Sequence, residues 1–332
     1  MLKKEKILIT GASGYIGFCL LKYLRKKNYN IFGLDKKNLK IKNQKKIDYF
    51  FKGNINNKVF INKILIKLKP KLIIHLAGES TLDGIKNKKK YIINNYVATK
   101  NLISSMKKNK IKKLIFSSTA AVYKQTKKNI SEQFKIKPNN VYGSTKFKCE
   151  QIIKKNNNSI NFIIFRFFNV CSAINYLNIG EQHNPETHLI PLAINKLIKK
   201  NKVKIYGNNF GTKDGTCIRD YIHIIDLCVA FEKVINSLLK NKTQNNIYNL
   251  GTGNGYSVLE VLKKIISKLR LSKKDFIIYS KKRFGDNPRL VCSYKKFYEH
   301  TKWKPIHSKI SKIINDEIYW QKKNQQKRSF IY

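Results

Sequence analysis

Residues 3–35 read KKEKILITGASGYIGFCLLKYLRKKNYNIFGLD. The run KILITG is apolar enough for a short strand, and GYIGFCLLKYLRKK carries apolar residues at helical spacing. Between them Gly11, Gly14 and Gly17 form G-x-x-G-x-x-G, one residue longer than the G-x-G-x-x-G fingerprint. NIFGLD then reads as a second strand ending on Asp35. Strand, glycine turn, helix and acidic strand end are the context in which glycines cradle a dinucleotide. Gly11 permits the tight turn, Gly14 lets the backbone approach a pyrophosphate, and Gly17 lets helix and strand pack closely. The helix N-terminus adds free N–H groups and partial positive charge. Asp35 is placed to accept hydrogen bonds from ribose hydroxyls and to repel a 2′-phosphate, which favours NAD over NADP; the adjacent Lys36 and Lys37 work against that preference.

The alternation continues outward. VFINKILIKLK has helical spacing, KLIIHLAG reads as a third strand, and YIINNYVATKNLISSMKKN reads as a helix. KLIFSST, NVYGSTKFKCEQIIKK and NFIIFRFFN follow as strand, helix and strand. Such alternation predicts an α/β fold built on a doubly wound parallel sheet. After Asn169 the rhythm breaks, and residues 170–222 read as loop-rich. A helix (IIDLCVAFEKVINSLLK) and a strand (NIYNLG) come next, then a smaller mixed region. The expected division is a nucleotide-binding domain over 1–169, rejoined by 222–250, and a smaller C-terminal α/β substrate-binding lobe from 170–221 and 251–332.

At 332 residues and 42% apolar content, the chain can bury a large core. No run approaches a membrane span; the most apolar stretch, NFIIFRFFNVCSAI, contains Arg166. The basic start leads into glycines, not a long apolar segment, so no signal peptide is expected. Six scattered cysteines without a C-x-x-C pair fit reduced thiols in a cytosol. The net charge of +50 raises the question of a nucleic-acid or membrane partner. Only seven of the 69 basic residues are arginine, and the lysines run along the whole chain beside abundant Asn and Ile. That pattern is a solvated lysine coat. It predicts weak, salt-sensitive adhesion to polyanions and no specific nucleic-acid or membrane partner.

Tyr142 and Lys146 form Y-x-x-x-K in YGSTK, which puts phenol and ammonium on one helix face. A free tyrosine has a pKa of about 10 and is a poor base at neutral pH. A neighbouring ammonium and a cationic nicotinamide both favour the phenolate, so the pair is expected to lower that pKa. Just upstream, FSSTAAVY offers the hydroxyls of Ser118 and Thr119.

Together these motifs resemble the extended short-chain dehydrogenase/reductase family: TGASGYIG, HLAG, the NN at Asn94, SSTAAVY, YGSTK, FRFFN and the W-x-P at Trp303. Within it, DGTCIRDYIHIIDL (214–227), GEQHNPETHLIP and RFGDNPRLV resemble the UDP-glucose 4-epimerases. The resemblance implies a Rossmann-like NAD(P)-binding fold, UDP-glucose and UDP-galactose as substrates, tightly held NAD, and a cytosolic homodimer. It implies that Tyr142 takes the proton of the sugar's 4-hydroxyl while C4 yields a hydride, with Thr119 bonded to O4 and Lys146 tuning Tyr142. The 4-keto intermediate then turns over and takes the hydride back on its other face.

Carried over by motif, the cofactor positions are Gly11, Gly14, Tyr15, Ile16, Gly17, Asp35, Asn54, Ile55, Leu76, Ala77, Gly78 and Asn94, with Tyr142 and Lys146. The substrate positions are Thr119, Asn169, His188, Leu189, Tyr206, Arg219, Arg283 and Asp286. Arg219 and Arg283 would clamp the diphosphate, where a guanidinium fork suits phosphate oxygens, and Asp286 would take the uridine ribose. Arg166 also falls in a motif where a fork is expected to be needed. Glu181, His183, Glu186 and His188 include metal-ligating types, but no metal is expected in that loop. His223 is expected to be a packed, hydrogen-bonded histidine.

The chain departs from the family in four places. Asn54 stands for an Asp beside the adenine, and Ser80 for a lysine near the cofactor, with Lys86 or Lys88 as candidate substitutes. Phe167 replaces a common Tyr, and Leu290 sits where the family gates the sugar's C2 substituent, favouring a plain hydroxyl. Two alternatives stay open: a 4-epimerase of UDP-N-acetylhexosamines or UDP-pentoses, and a non-catalytic nucleotide-sugar or polyanion binder. The second has no need of a tuned phenol.

Overall fold

The computed structural model describes residues 5–27, 29–39, 49–80, 87–181, 185–242, 245–272, 276–283 and 285–329. Lys86 and His183 lie outside the described residues. The chain divides into two compact units: Met1–Lys124, Lys135–Phe167 and Ala230–Tyr248 in the first; Gln125–Phe134, Phe168–Val229 and Asn249–Tyr332 in the second. Residues 125–134, 168–169, 222–229 and 249–250, expected in the nucleotide-binding domain, thus belong to the second unit.

In chain order the elements begin β1 (Lys6–Thr10), α1 (Tyr15–Lys26), β2 (Asn30–Asp35), β3 (Phe50–Lys52), α2 (Lys58–Leu68) and β4 (Leu72–His75). They continue with α3 (Lys88–Tyr91), α4 (Ala98–Lys108), β5 (Lys113–Thr119), α5 (Val141–Lys155), β6 (Asn161–Phe167) and β7 (Asn169–Cys171). Then come α6 (Leu189–Ile198), β8 (Val203–Tyr206), β9 (Ile218–His223), α7 (Ile224–Leu239), β10 (Asn246–Leu250) and β11 (Gly255–Ser257). The last are α8 (Val258–Lys268), β12 (Ile277–Ser280), β13 (Arg289–Leu290), α9 (Lys295–Thr301) and α10 (Ile310–Ser329).

The first unit is organised on a seven-stranded sheet of order β10-β6-β5-β4-β1-β2-β3. The ladders from β3 to β6 are parallel, and Thr10 of β1 pairs with Leu34 on one side and His75 on the other. Helices cover such a sheet, so its inner strands are continuous apolar runs: Ile7–Ile9, Leu72–Ile74 and Leu114–Phe116 are all buried. The sequence misses β3, a three-residue edge strand too short to show a pattern, and KLIIHLAG is therefore the fourth strand. Gly17 shows why a glycine opens α1. A Cβ there would stand 2.0 Å from the carbonyl oxygen of Gly11, so helix and turn approach this closely only without a side chain.

The helix expected over YIINNYVATKNLISSMKKN begins as α3, passes through a π-helical turn at Ile92–Val97 and continues as α4. Such one-turn bulges frequently accompany functional sites, and this one carries Asn94 and Asn95.

The stretch expected to be loop-rich in the second unit holds α6 and three strands. LIPLAINKLI buries Ile190, Ala193, Ile194 and Leu197, the i, i+3, i+4, i+7 stripe of an amphipathic helix, against α8 and α10 residues such as Leu262, Ile265 and Ile313. Its proline sits in the first turn, where no N–H is missed. β9 pairs in parallel with β7 and β13 and antiparallel with β11. His223 on β9 is fully buried, its Nε2 3.1 Å from Asp316 and its Nδ1 accepting the Ile225 N–H, which is the packed role expected of it. All six cysteines are buried and none is in a disulfide. No helix among the described residues is long and apolar enough to cross a membrane.

Candidate active site

The glycine turn joins β1 to α1, and Tyr15 and Ile16 open that helix. Its N-cap, Gly14, has no capping side chain, and no acidic residue lies in the first turn. The helix end therefore keeps its positive character for an anion. Asp35 closes β2 and faces this turn: its carboxylate accepts the Ser13 and Lys37 N–H groups, both at 3.0 Å. On the other flank of β1, the buried His75 ties Thr10 (2.7 Å) to Thr99 (3.1 Å), and Thr10 Oγ1 accepts the Ala77 N–H. Burial first, then the Lys146 charge, lowers the His75 pKa to about 3, so this imidazole is a neutral connector. Leu76, Ala77 and Gly78 follow it, and Ile55 is buried nearby in sequence after β3. Asn54 folds its oxygen onto the Asn56 N–H at 3.0 Å.

Sequence reasoning singles out Asn94 but misses two residues beside it. Glu79 takes the Asn94 amide at 3.1 Å, and its backbone N–H and carbonyl are bonded by Asn95 at 2.7 and 3.2 Å. Asn95 is buried and also donates to Thr145 on α5. It thereby links the HLAG turn to the helix carrying Tyr142 and Lys146. The NN doublet was the only sequence signal.

Tyr142 and Lys146 lie one turn apart in α5, whose N-cap Asn140 accepts the Gly143 N–H. A Cβ on Gly143 would meet the Ala121 carbonyl oxygen at 2.3 Å, so glycine lets this helix start press against the turn after β5. That turn begins at Thr119, which hydrogen-bonds Tyr142. The expected lowering of the phenol's pKa is not what the chain alone produces. Tyr142 is half-buried as a residue, and burial around its phenol pushes the pKa up to about 12, against the opposing Thr119 hydrogen bond. Lys146 is itself lowered to about 8 by burial, although Cys149 and Glu150 support its charge. Its ammonium donates to the Ser117 carbonyl at 2.8 Å and lies 4.8 Å from the Phe116 ring centroid. The ammonium is therefore committed to the backbone of β5 as much as to its helix neighbour.

Ser118 belongs elsewhere. It bonds Glu150 at 2.5 Å, and Glu150 receives Arg166 through Nε at 2.9 Å and Nη2 at 2.6 Å. Arg166 also donates to the Tyr123 hydroxyl at 2.8 Å. The fork expected there exists, but it holds a buried carboxylate and not a phosphate.

The second unit gathers four of the substrate positions. Asp286 stands between Arg219 (3.7 Å) and Arg283 (3.2 Å), and Arg283 stacks 4.5 Å from the centroid of Tyr206. Arg219 is oriented by carbonyls of Ile218 and Asn287 at 3.0 and 2.7 Å. Leu290 pairs with Arg219 across the β13–β9 ladder. Asn169 is exposed at the start of β7. His188, the N-cap of α6, and Leu189 form a separate group. His188 Nδ1 sits 3.0 Å from Glu181 and 3.1 Å from Glu186, and these ligating atoms lie within 4.8 Å of one another. Burial disfavours the imidazolium, yet the two carboxylates outweigh it and raise the His188 pKa to about 10. The cluster is balanced as an imidazolium between two carboxylates.

Comparison with known proteins fits this arrangement. Residues 7–251 match the model of the NAD dependent epimerase/dehydratase family. The chain is 33% identical over 326 residues to the UDP-glucose 4-epimerase of Lactobacillus helveticus, covering 96% of this chain and 97% of that one. It superposes on UDP-glucose 4-epimerase from Brucella ovis in complex with NAD with a TM-score of 0.85 at 29% identity, over 95% and 98% of the two chains. For the Bifidobacterium longum UDP-glucose 4-epimerase in complex with NAD+ and UDP the TM-score is 0.87 at 27% identity, over 96% and 99%. The chain belongs to the NAD dependent epimerase/dehydratase family, and over its whole length it is similar to the UDP-glucose 4-epimerases.

Proposed function

We propose that the protein is an NAD-dependent UDP-hexose 4-epimerase that interconverts UDP-glucose and UDP-galactose. The observation carrying this reading is the hydrogen-bonded Thr119–Tyr142 pair with Lys146 one turn along α5, in a chain similar throughout to UDP-glucose 4-epimerases. The residues fit the cofactor: the uncapped start of α1 suits a pyrophosphate and the Asp35 carboxylate suits ribose hydroxyls. Gly11, Gly14, Tyr15, Ile16 and Gly17 would hold the pyrophosphate, Asp35 the adenosine ribose, Asn54 and Ile55 the adenine side, Leu76, Ala77, Gly78 and Asn94 the opposite wall, and Lys146 the nicotinamide ribose. When bound, NAD would supply the site's redox chemistry, as acceptor and then donor of a hydride at C4 of the sugar, and a positive charge favouring the Tyr142 phenolate that the chain alone resists.

Thr119 orients O4 and Tyr142 takes its proton as the C4–H bond breaks; for the reverse face Tyr142 returns the proton to the same oxygen. The sugar undergoes no net oxidation, so no second substrate is consumed. In the second unit, Arg219 and Arg283 would hold the diphosphate bidentately, and Asp286, positioned by both guanidiniums, the uridine ribose. Tyr206, Asn169, His188 and Leu189 would complete the nucleotide-sugar subsite, and Leu290 would favour an unmodified C2 hydroxyl. The first unit thus serves the cofactor and the second the substrate, in a homodimer that sedimentation would detect. Purified protein without added NAD is expected to convert UDP-galactose to UDP-glucose and to release nicotinamide nucleotide on denaturation. Absence of both UDP-glucose and released nucleotide would overturn the reading.

A further inference from the structure

Two side chains meet across the carboxyl edge of the central sheet. Lys36 directly follows β2, and Glu79 lies in the turn after β4. These strands flank β1, from which the glycine turn departs. Lys36 Nζ is 3.5 Å from Glu79 Oε1, and Lys90 Nζ is 3.1 Å from Oε2. Burial works against ionisation of Glu79, but Lys90 and Lys36 outweigh it and hold its carboxyl below the ordinary range. Asn94 and Asn95 fix the same residue from the π-helical turn. Glu79 is therefore an anchored anion with two lysines on it, and the next residue is Ser80, where the resemblance leads one to expect a lysine.

Ligands of open parallel sheets bind outside the carboxyl ends of the strands. The Lys36–Glu79 contact reaches from the end of β2 to the turn after β4, the strands on either side of β1. We propose that the Lys36–Glu79 bridge is a strap over the adenosine diphosphate half of the dinucleotide, and that Lys36 and Lys90, tethered by Glu79, replace the lysine lost at position 80 in retarding its release. The inference rests on the cofactor reading above. It has a chemical reason: a reaction that ends with its cofactor unchanged gains nothing by letting it go. The ammonium of Lys36 is shared between a fixed carboxylate and the diphosphate charge, so opening the bridge precedes escape.

The test is the release of NAD from NAD-loaded protein, followed as protein-bound nicotinamide nucleotide during timed dialysis. Wild type is compared with Glu79→Gln, Lys36→Gln and the double variant. Each single change is expected to speed release about fivefold, the exposed-ion-pair scale, and the double variant by less than the product of the two, because both changes remove the Lys36–Glu79 contact. Salt should speed release from wild type and leave the variants nearly unchanged. A merely structural role would not produce that non-additivity or that loss of salt sensitivity. Release rates within twofold of wild type, or single effects that multiply in the double variant, overturn the strap alone. Wild-type protein that retains no nucleotide through the first dialysis contradicts both the strap and the cofactor reading.

Discussion

Tyr142→Phe is expected to lower turnover of UDP-galactose by about three orders of magnitude, the scale of a lost acid–base group. The affinity for UDP should stay within a factor of about two, because only a hydroxyl is removed and the nucleotide is assigned to residues of the other unit. The structure sharpens the reason for so large an effect. In the chain alone burial holds the phenol near a pKa of about 12, so it is an acid that releases its proton reluctantly. Thr119 is the group that opposes burial, and Lys146 is drawn toward Ser117. On the proposed chemistry, ionisation of Tyr142 accompanies loading of the site. Stopped turnover with unchanged UDP binding, measured by rate assay and calorimetry, supports the assignment; turnover within tenfold of wild type removes Tyr142 from the chemistry.

The second large effect is on stability. Glu150→Ala is expected to destabilise the fold by about 3–5 kcal/mol, because it strands a buried guanidinium. Arg166 is 2% exposed and Glu150 is 0% exposed, and their two parallel hydrogen bonds are short. Arg166→Lys should recover little, since an ammonium lacks the fork that matches both oxygens and the Tyr123 hydroxyl. The same carboxylate anchors Ser118, so Glu150 ties α5 to β6 through Arg166 and to β5 one residue before Thr119. Urea unfolding monitored by circular dichroism checks it. A loss under about 1 kcal/mol would show that the site is held by packing alone.

These two residues also mark where sequence ceases to be informative. The glycine turn, Tyr142 with Lys146, and Asp35 were readable because each is defined by short spacing along one element or by the end of an apolar run. Glu150 and Arg166 are 16 positions apart, and Lys36 and Glu79 are 43 apart. Neither distance follows any helical or strand period, and only the crossover topology closes them. Ser118 and Thr119 are neighbours in sequence, yet one bonds Glu150 and enters the ion-pair network while the other reaches Tyr142, two turns earlier on the same helix. The raised pKa of Tyr142 in the chain alone was not readable for a related reason: the helical period places an ammonium nearby but says nothing of burial. Helix α6 was hidden by the motif-rich loops around it, and β3 by its length.

The most direct measurement of the central claim uses UDP-galactose deuterated at C4, incubated with purified protein in ordinary water without added NAD. The account predicts UDP-glucose that keeps its deuterium at C4, because the hydrogen leaves as a hydride and returns within the same closed site. Product that has lost the label to solvent, or no UDP-glucose at all, would contradict it.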